Sequence, residues 1–263
     1  MSRFSLIFDN KEVKSDMKKI IVFLFSFVLL FSVSFATPST TYWTPSVSDI
    51  QPFGVWHIGV DNYFTVLTKT TDTPVSGAFP TDVGLTVGIL PFQNLQMEVG
   101  IDLLEASNDP WFLNAKIGAP EGVIFAGFPS VGLGIFNVGL NQSTQGQNIW
   151  HLVLGKDLGA AGRIHVSPYY KGSFSGLGLG SDDSGWMIGY DKGFAPTKDS
   201  SGEYSKWVFA ADYASGNNAL GGGGFGIYHY FAKNISLLTG PVIFNSQAIN
   251  GKWKWTVQLD INI

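Results

Sequence analysis

Polar and apolar positions alternate along most of the chain beyond residue 50, and the alternation is cleanest at its end. In residues 252–263, KWKWTVQLDINI, one parity holds Trp253, Trp255, Val257, Leu259, Ile261 and Ile263. The other holds Lys252, Lys254, Thr256, Gln258, Asp260 and Asn262. Successive strand side chains point to opposite faces, so this period predicts a strand with one apolar and one polar face. Residues 93–105 repeat it, with Leu95, Met97, Val99, Ile101 and Leu103 against Gln96, Glu98, Gly100 and Asp102. Residues 55–66 set Trp56, Ile58, Val60, Phe64 and Val66 against His57, Gly59, Asp61, Tyr63 and Thr65. In a soluble sheet the apolar face turns inward; in a membrane barrel it turns outward.

The pattern predicts strands over 53–67, 81–91, 94–105, 111–119, 123–139, 148–156, 163–173, 185–193, 205–214, 219–231, 234–245 and 252–263. Each is close to the ~9–11 residues of a tilted membrane strand. Twelve is an even number, as single-chain bacterial barrels have. Ten is the alternative, if the Gly-rich 219–224 or the 123–139 segment is not regular strand. Short connections at 91–93, 120–122, 157–162 and 231–234 mostly alternate with longer polar ones at 69–80, 140–147 and 174–184. Tight turns on the periplasmic side and loops outside produce that rhythm. Two connections break it: 194–204 is long where a turn is expected, and 215–218 is short where a loop is expected. Trp111, Trp150, Trp186 and Trp253 each open a strand running down from an outer loop. They are expected at one level, as an aromatic girdle at the membrane interface.

Composition favours the outward-facing choice. Charged residues are 14% of the chain, against roughly 25% in typical soluble domains. Aromatics are also 14%, and 32 residues are glycine. A chain with so little charge and so many rings fits a surface that is not in water. At the other end, Lys18 and Lys19 precede an apolar run and the small-residue site Ser34-Phe35-Ala36, which reads as a cleaved signal peptide over 17–36. Residues 1–16 read as translated leader before a true start at Met17, because KEVKSDM can be encoded by a ribosome-binding site followed by ATG. Residues 37–52, rich in Pro, Ser and Thr, read as a periplasmic lead-in to a barrel over 53–263, with folding back into the lumen as the alternative. Residues 1–36 hold five basic and three acidic residues of the chain's 16 and 20, so the remainder has a net charge of about −6. Nucleic acid is therefore not an expected partner. The absence of Cys excludes a disulfide scaffold, a thiolate metal site and a lipidated N-terminal cysteine.

The signal peptide, the alternating strands and the last strand together resemble bacterial outer-membrane β-barrel proteins of porin-like architecture. Residues 228–244, YHYFAKNISLLTGPVIF, look like their penultimate hairpin: an aromatic strand end, a tight Lys-Asn turn and a strand opening Ile-Ser-Leu. The resemblance implies an all-β, antiparallel up-and-down transmembrane barrel in the outer membrane, in contact with its lipids. It also implies recognition of the C-terminal strand by the barrel-assembly machinery. That signal usually ends in an aromatic residue, where this chain has Ile263.

If the apolar faces meet lipid, the polar faces line a lumen. The candidates are His57, Asp61, Glu98, Asp102, Asn114, Lys116, Arg163, His165, Lys171, Asp212, Lys252, Lys254 and Asp260. They suit a narrow pore for small solutes or ions with charged walls. Mutual pairing of the same charges would suit a closed, structural or surface-exposed barrel. A third reading, an outer-membrane lipid hydrolase, rests on His165 and Ser167, two apart on one face. The register turns that pair inward, away from lipid, and Pro168-Tyr169-Tyr170 follows where such phospholipases carry Asn-Gly. No dense metal cluster is visible and no cofactor is expected. LGGGGFG at 220–226 lacks the Lys-Ser/Thr of a phosphate loop; its glycines suit bending or close approach of something inside the barrel.

Overall fold

The computed structural model describes residues 40–66, 77–139, 141, 147–171, 180–200 and 202–263. The signal-peptide and leader readings for 1–36, and residues 37–39, lie outside these. The twelve strands are β1 Trp56–Thr65, β2 Thr81–Gly88, β3 Gln96–Glu105, β4 Trp111–Ala119, β5 Ser130–Gly139 and β6 Ile149–Asp157. They continue as β7 Arg163–Lys171, β8 Ser184–Asp199, β9 Gly202–Ala214, β10 Gly222–Ala232, β11 Ile235–Phe244 and β12 Lys254–Asn262. Every strand pairs antiparallel with its sequence neighbours, and β1 pairs with β12 to close the ring. The twelve-strand reading holds, and the ten-strand alternative falls.

The barrel is inside-out relative to a soluble protein. Along β6, Trp150, Leu152 and Leu154 are exposed while His151 is 4% exposed. Along β12, Trp255 on the outer face is 40% exposed, whereas Lys254, Thr256, Gln258, Asp260 and Asn262 are buried. No water-soluble fold would expose such a band, which demands a hydrocarbon surround. Closure leaves the ring itself without a free edge strand, the condition for a sheet to sit in lipid.

Three elements depart from expectation. β5 starts at Ser130 rather than 123, because residues 123–128 form a compact loop. Gly122 N–H donates to Phe128 O at 2.9 Å, Phe128 N–H donates to Phe125 O at 3.0 Å, and Gly122 and Gly127 adopt positive φ. β8 and β9 run on together beyond their barrel neighbours, so residues 194–204 are mostly extended hairpin rather than loop. Ala195, at φ 54°, lies within this hairpin, whose register is the same at Phe194–Trp207 and Pro196–Ser205.

The largest departure is at the N-terminal side. The segment expected to lead in from the periplasm folds back into the barrel. Residues 41–51, the strap, contribute Thr41, Tyr42, Thr44, Ser46, Val47, Ile50 and Gln51 to the buried interior. The reason lies in its composition: Tyr42, Val47 and Ile50 are too apolar for water, and its polar groups find partners on the inner wall. Tyr42 anchors a core with the inward-facing Tyr228, Leu238, Val242 and Phe244. Glycines make room for it. A Cβ at Gly189 would stand 2.5 Å from both Ser46 Oγ and Thr41 Oγ1, and Gly224, Gly226 and Gly240 crowd the Tyr42 ring.

Candidate functional site: a strapped lumen

The polar ends of the strap are tied to the wall at three levels. At its tip, Thr41 N–H donates to Thr44 O at 3.0 Å, and this turn aims successive amides at one place. The Asp212 carboxylate of β9 sits there. Its Oδ2 accepts from the backbone N–H of Tyr42 (3.0 Å), Trp43 (2.8 Å) and Thr44 (2.7 Å), and from Thr44 Oγ1 (2.9 Å). Convergent amides of this kind form an anion-binding concavity, here filled by a side chain. The tip is further held by Gln258 Nε2 donating to Tyr42 O and by Tyr42 OH donating to Pro241 O.

Lower down, Arg163 binds Asp49 through Nη1 and Nη2 at 2.8 Å, and its Nε binds Asp191 at 2.9 Å. His165 lies between Asp191 (Nε2 to Oδ2, 3.2 Å) and Ser48, whose N–H and Oγ both lie 3.3 Å from Nδ1. Nδ1 accepts that amide proton, so Nε2–H faces Asp191. The order Ser48–His165–Asp191 matches a nucleophile, a base and its orienting acid in connectivity. It lacks space: Ser48 Oγ is bonded to Ser130 Oγ at 2.6 Å, and it lies so near the wall that a Cβ at Gly155 would collide with it. It acts as a clasp. Ser167 Oγ pairs instead with His151 Nδ1 at 3.2 Å, and both Ser167 and His165 are buried in the interior. The structure therefore does not join His165 to Ser167, nor turn either towards lipid.

At the base, Glu98 accepts the Gln51 N–H at 2.7 Å and pairs with Lys116 at 3.1 Å. Lys116 Nζ also reaches Val47 O at 3.5 Å.

The strap occupies one side of the lumen. On the other side, along β1–β5, runs a cavity of about 370 Å³. Its charged and polar lining includes His57, Asp61, Asp82, Asp102, Asn114 and Asp260, with Glu98 and Lys116 at the strap's foot. His57 lies 3.5 Å from Asp260 across the seam. Asp61, Asp82 and Asp102 form no ion pair among the described residues, and Asp61 is directly opposite Asp82 in the register. Like charges directly opposite on a ladder are destabilising. Asn114 Nδ2 donates to Asp102, while Asn114 Oδ1 accepts the Asn137 N–H at 3.0 Å at a bulge between β4 and β5. Asp82 was not among the residues singled out from sequence, although the 81–91 alternation puts it on the polar parity. The end of the cavity towards the long connections is flanked by Trp43, Tyr63 and Phe79, whose rings pack at 5.2–6.0 Å.

Of the remaining candidates, Arg163, His165 and Asp212 face inward but are taken up by the strap. Lys254 is fully buried, its Nζ bonded to Lys252 O at 3.2 Å and lying 5.0 Å from the Phe79 ring. Neither Lys254 nor Lys252 lines the cavity. Lys171 pairs with Asp183 at 2.6 Å, near the far end of β7. Trp111, Trp150 and Trp186 are exposed at the starts of β4, β6 and β8. Trp253 precedes β12 and is half-buried; Trp255 is the exposed ring at the start of β12, its Nε1–H donating to Thr239 Oγ1 at 2.7 Å.

No protein-family profile and no curated protein matches the chain. Among solved structures it is similar to the KdgM porin, at 9% identity and TM-score 0.44, over 78% of this chain and 98% of that one. It is also similar to the COG4313 outer membrane channel from Pseudomonas putida F1, at 12% identity and TM-score 0.41, over 82% and 98%. A third is outer membrane phospholipase A from Escherichia coli, at 15% identity and TM-score 0.48, over 81% and 98%. Likeness at this level says nothing of substrate or activity. The closed twelve-strand ring, its apolar exterior and its polar interior are those of a bacterial outer-membrane β-barrel of porin-like architecture.

Proposed function

We propose that the barrel is a narrow passive channel whose open half favours small cations. The observation that carries this reading is the cavity beside the strap, with Asp61, Asp82 and Asp102 among its lining and no ion pair to any of them among the described residues. Charge in a confined path with low-dielectric walls concentrates counter-ions. When both are ionised, a cation in the path would also offset the repulsion between Asp61 and Asp82. Twelve strands enclose more than the eight whose interior side chains fill, and less than the sixteen of open porins. A narrow conduit fits that range.

The test is a planar-bilayer recording of the purified protein under a KCl gradient. Discrete current steps and a reversal potential of the sign for K⁺ preference are expected. Asp82→Asn with Asp102→Asn should move that potential towards zero. Absence of steps, or anion preference, would overturn the reading. The strap itself favours a second reading, a barrel that does not conduct, and the same recording separates the two.

A further inference from the structure

The strap is a part of the chain that the barrel holds without needing it for closure. All twelve strand pairings, including β1 with β12, are made between strands alone. Charged side chains tie the strap down at each level, beside the apolar packing of Tyr42 and its neutral bonds to Gln258 and Pro241. Asp212 makes four bonds to the tip through one oxygen, and among the described residues its buried Oδ1 has no partner. Arg163 grips Asp49, and Glu98 takes the Gln51 amide. The tip also brings Trp43 into the ring cluster with Tyr63, Phe79 and Phe244, beside the cavity. Thus one carboxylate positions both the plug and the aromatic wall next to the path.

We propose that the strap is an autoinhibitory plug latched by Asp212, whose release widens the lumen. This rests on the channel reading, and the latch can be tested apart from it. Since the chain has no Cys, a single Ser46→Cys reports the strap's exposure to a membrane-impermeant maleimide. Adding Asp212→Ala removes the acceptor at the tip. Labelling should then accelerate at least about tenfold, the factor that corresponds to losing one charge-assisted hydrogen bond. Conductance in a bilayer should rise with it.

A second variant guards against misfolding. In Ser46→Cys with Gly189→Cys the new side chain lies against position 46. Oxidation should fix the strap to β8 and hold conductance at its lowest value, and reduction of the same preparation should restore it. If labelling is unchanged by Asp212→Ala, Asp212 is no latch and the proposal falls. If labelling rises in a conducting barrel but neither Asp212→Ala nor the disulfide alters the current, the strap is no plug and the proposal also falls. If neither the wild type nor a barrel lacking residues 41–51 conducts, it is the channel reading that fails, and autoinhibition with it.

Discussion

Glu98 and Lys116 face each other across β3 and β4 with both side chains about 5% exposed, and each also holds the strap. A buried pair is stabilising only relative to a lone buried charge. Lys116→Met should therefore lower stability by about 3–5 kcal/mol, read from urea unfolding in lipid vesicles, because Glu98 is left without its cation. Adding Glu98→Gln should recover most of that loss. A Lys116→Met barrel as stable as the wild type would show that the two charges are not coupled. At this scale, parity along each strand was enough to turn His57, Glu98, Lys116 and Asp260 inward from the sequence. What each one touches was not legible. Asp212 binds Tyr42–Thr44, some 170 positions away, and no local pattern encodes such a meeting. For the same reason parity gives Lys252 and Lys254 equal standing, yet Lys254 turns back onto Lys252 O and an aromatic ring.

Strands with strict alternation were legible because one face meets lipid and the other does not, so a slip of one residue would invert both. β6 is the plainest case. Leu152→Arg, near its middle and on the outer face, should cost about 2–4 kcal/mol of stability, as a cation facing the bilayer midplane does. A negligible loss in the same vesicle assay would contradict the assigned exterior. The β4–β5 connection departs from the expected strand because Val123, Ile124 and Phe125 are as apolar as strand residues, while the positive φ of Gly122 and Gly127 bends the chain instead. That loop is tied down by Glu121, whose carboxyl is held below its ordinary value of 4.5, first by the Asp157 backbone N–H and then by Lys156. A lowered folded value stabilises the charged form. The tie is thus complete above pH 4.5 and is lost as pH falls through the lowered value. By NMR, the Glu121 carboxyl should titrate below 4.5, and Glu121→Gln should speed amide exchange at Asp157 only above that range. Unchanged exchange at neutral pH would remove the tie.

For the whole molecule, closure depends on the pairing of β1 with β12, which Trp56 and Ile263 complete through two backbone bonds of 3.0 and 2.8 Å. The intact barrel should need detergent and should run differently on gels before and after boiling. Removal of residues 254–263 should abolish that shift, since an open sheet in lipid strands a row of backbone groups. A mobility shift surviving the deletion would refute closure by β12. The seam was legible from the alternation of the last strand, but the filling of the ring was not. The strap has no period of its own, and only the glycines hinted that something comes close inside. Its enclosure also ties the two ends of the barrel together. The strap stands before β1, and its Tyr42 O accepts from Gln258 Nε2 on β12. The filling of the ring and the strand that closes it therefore share a contact, so that a change at the seam is felt by the segment held inside.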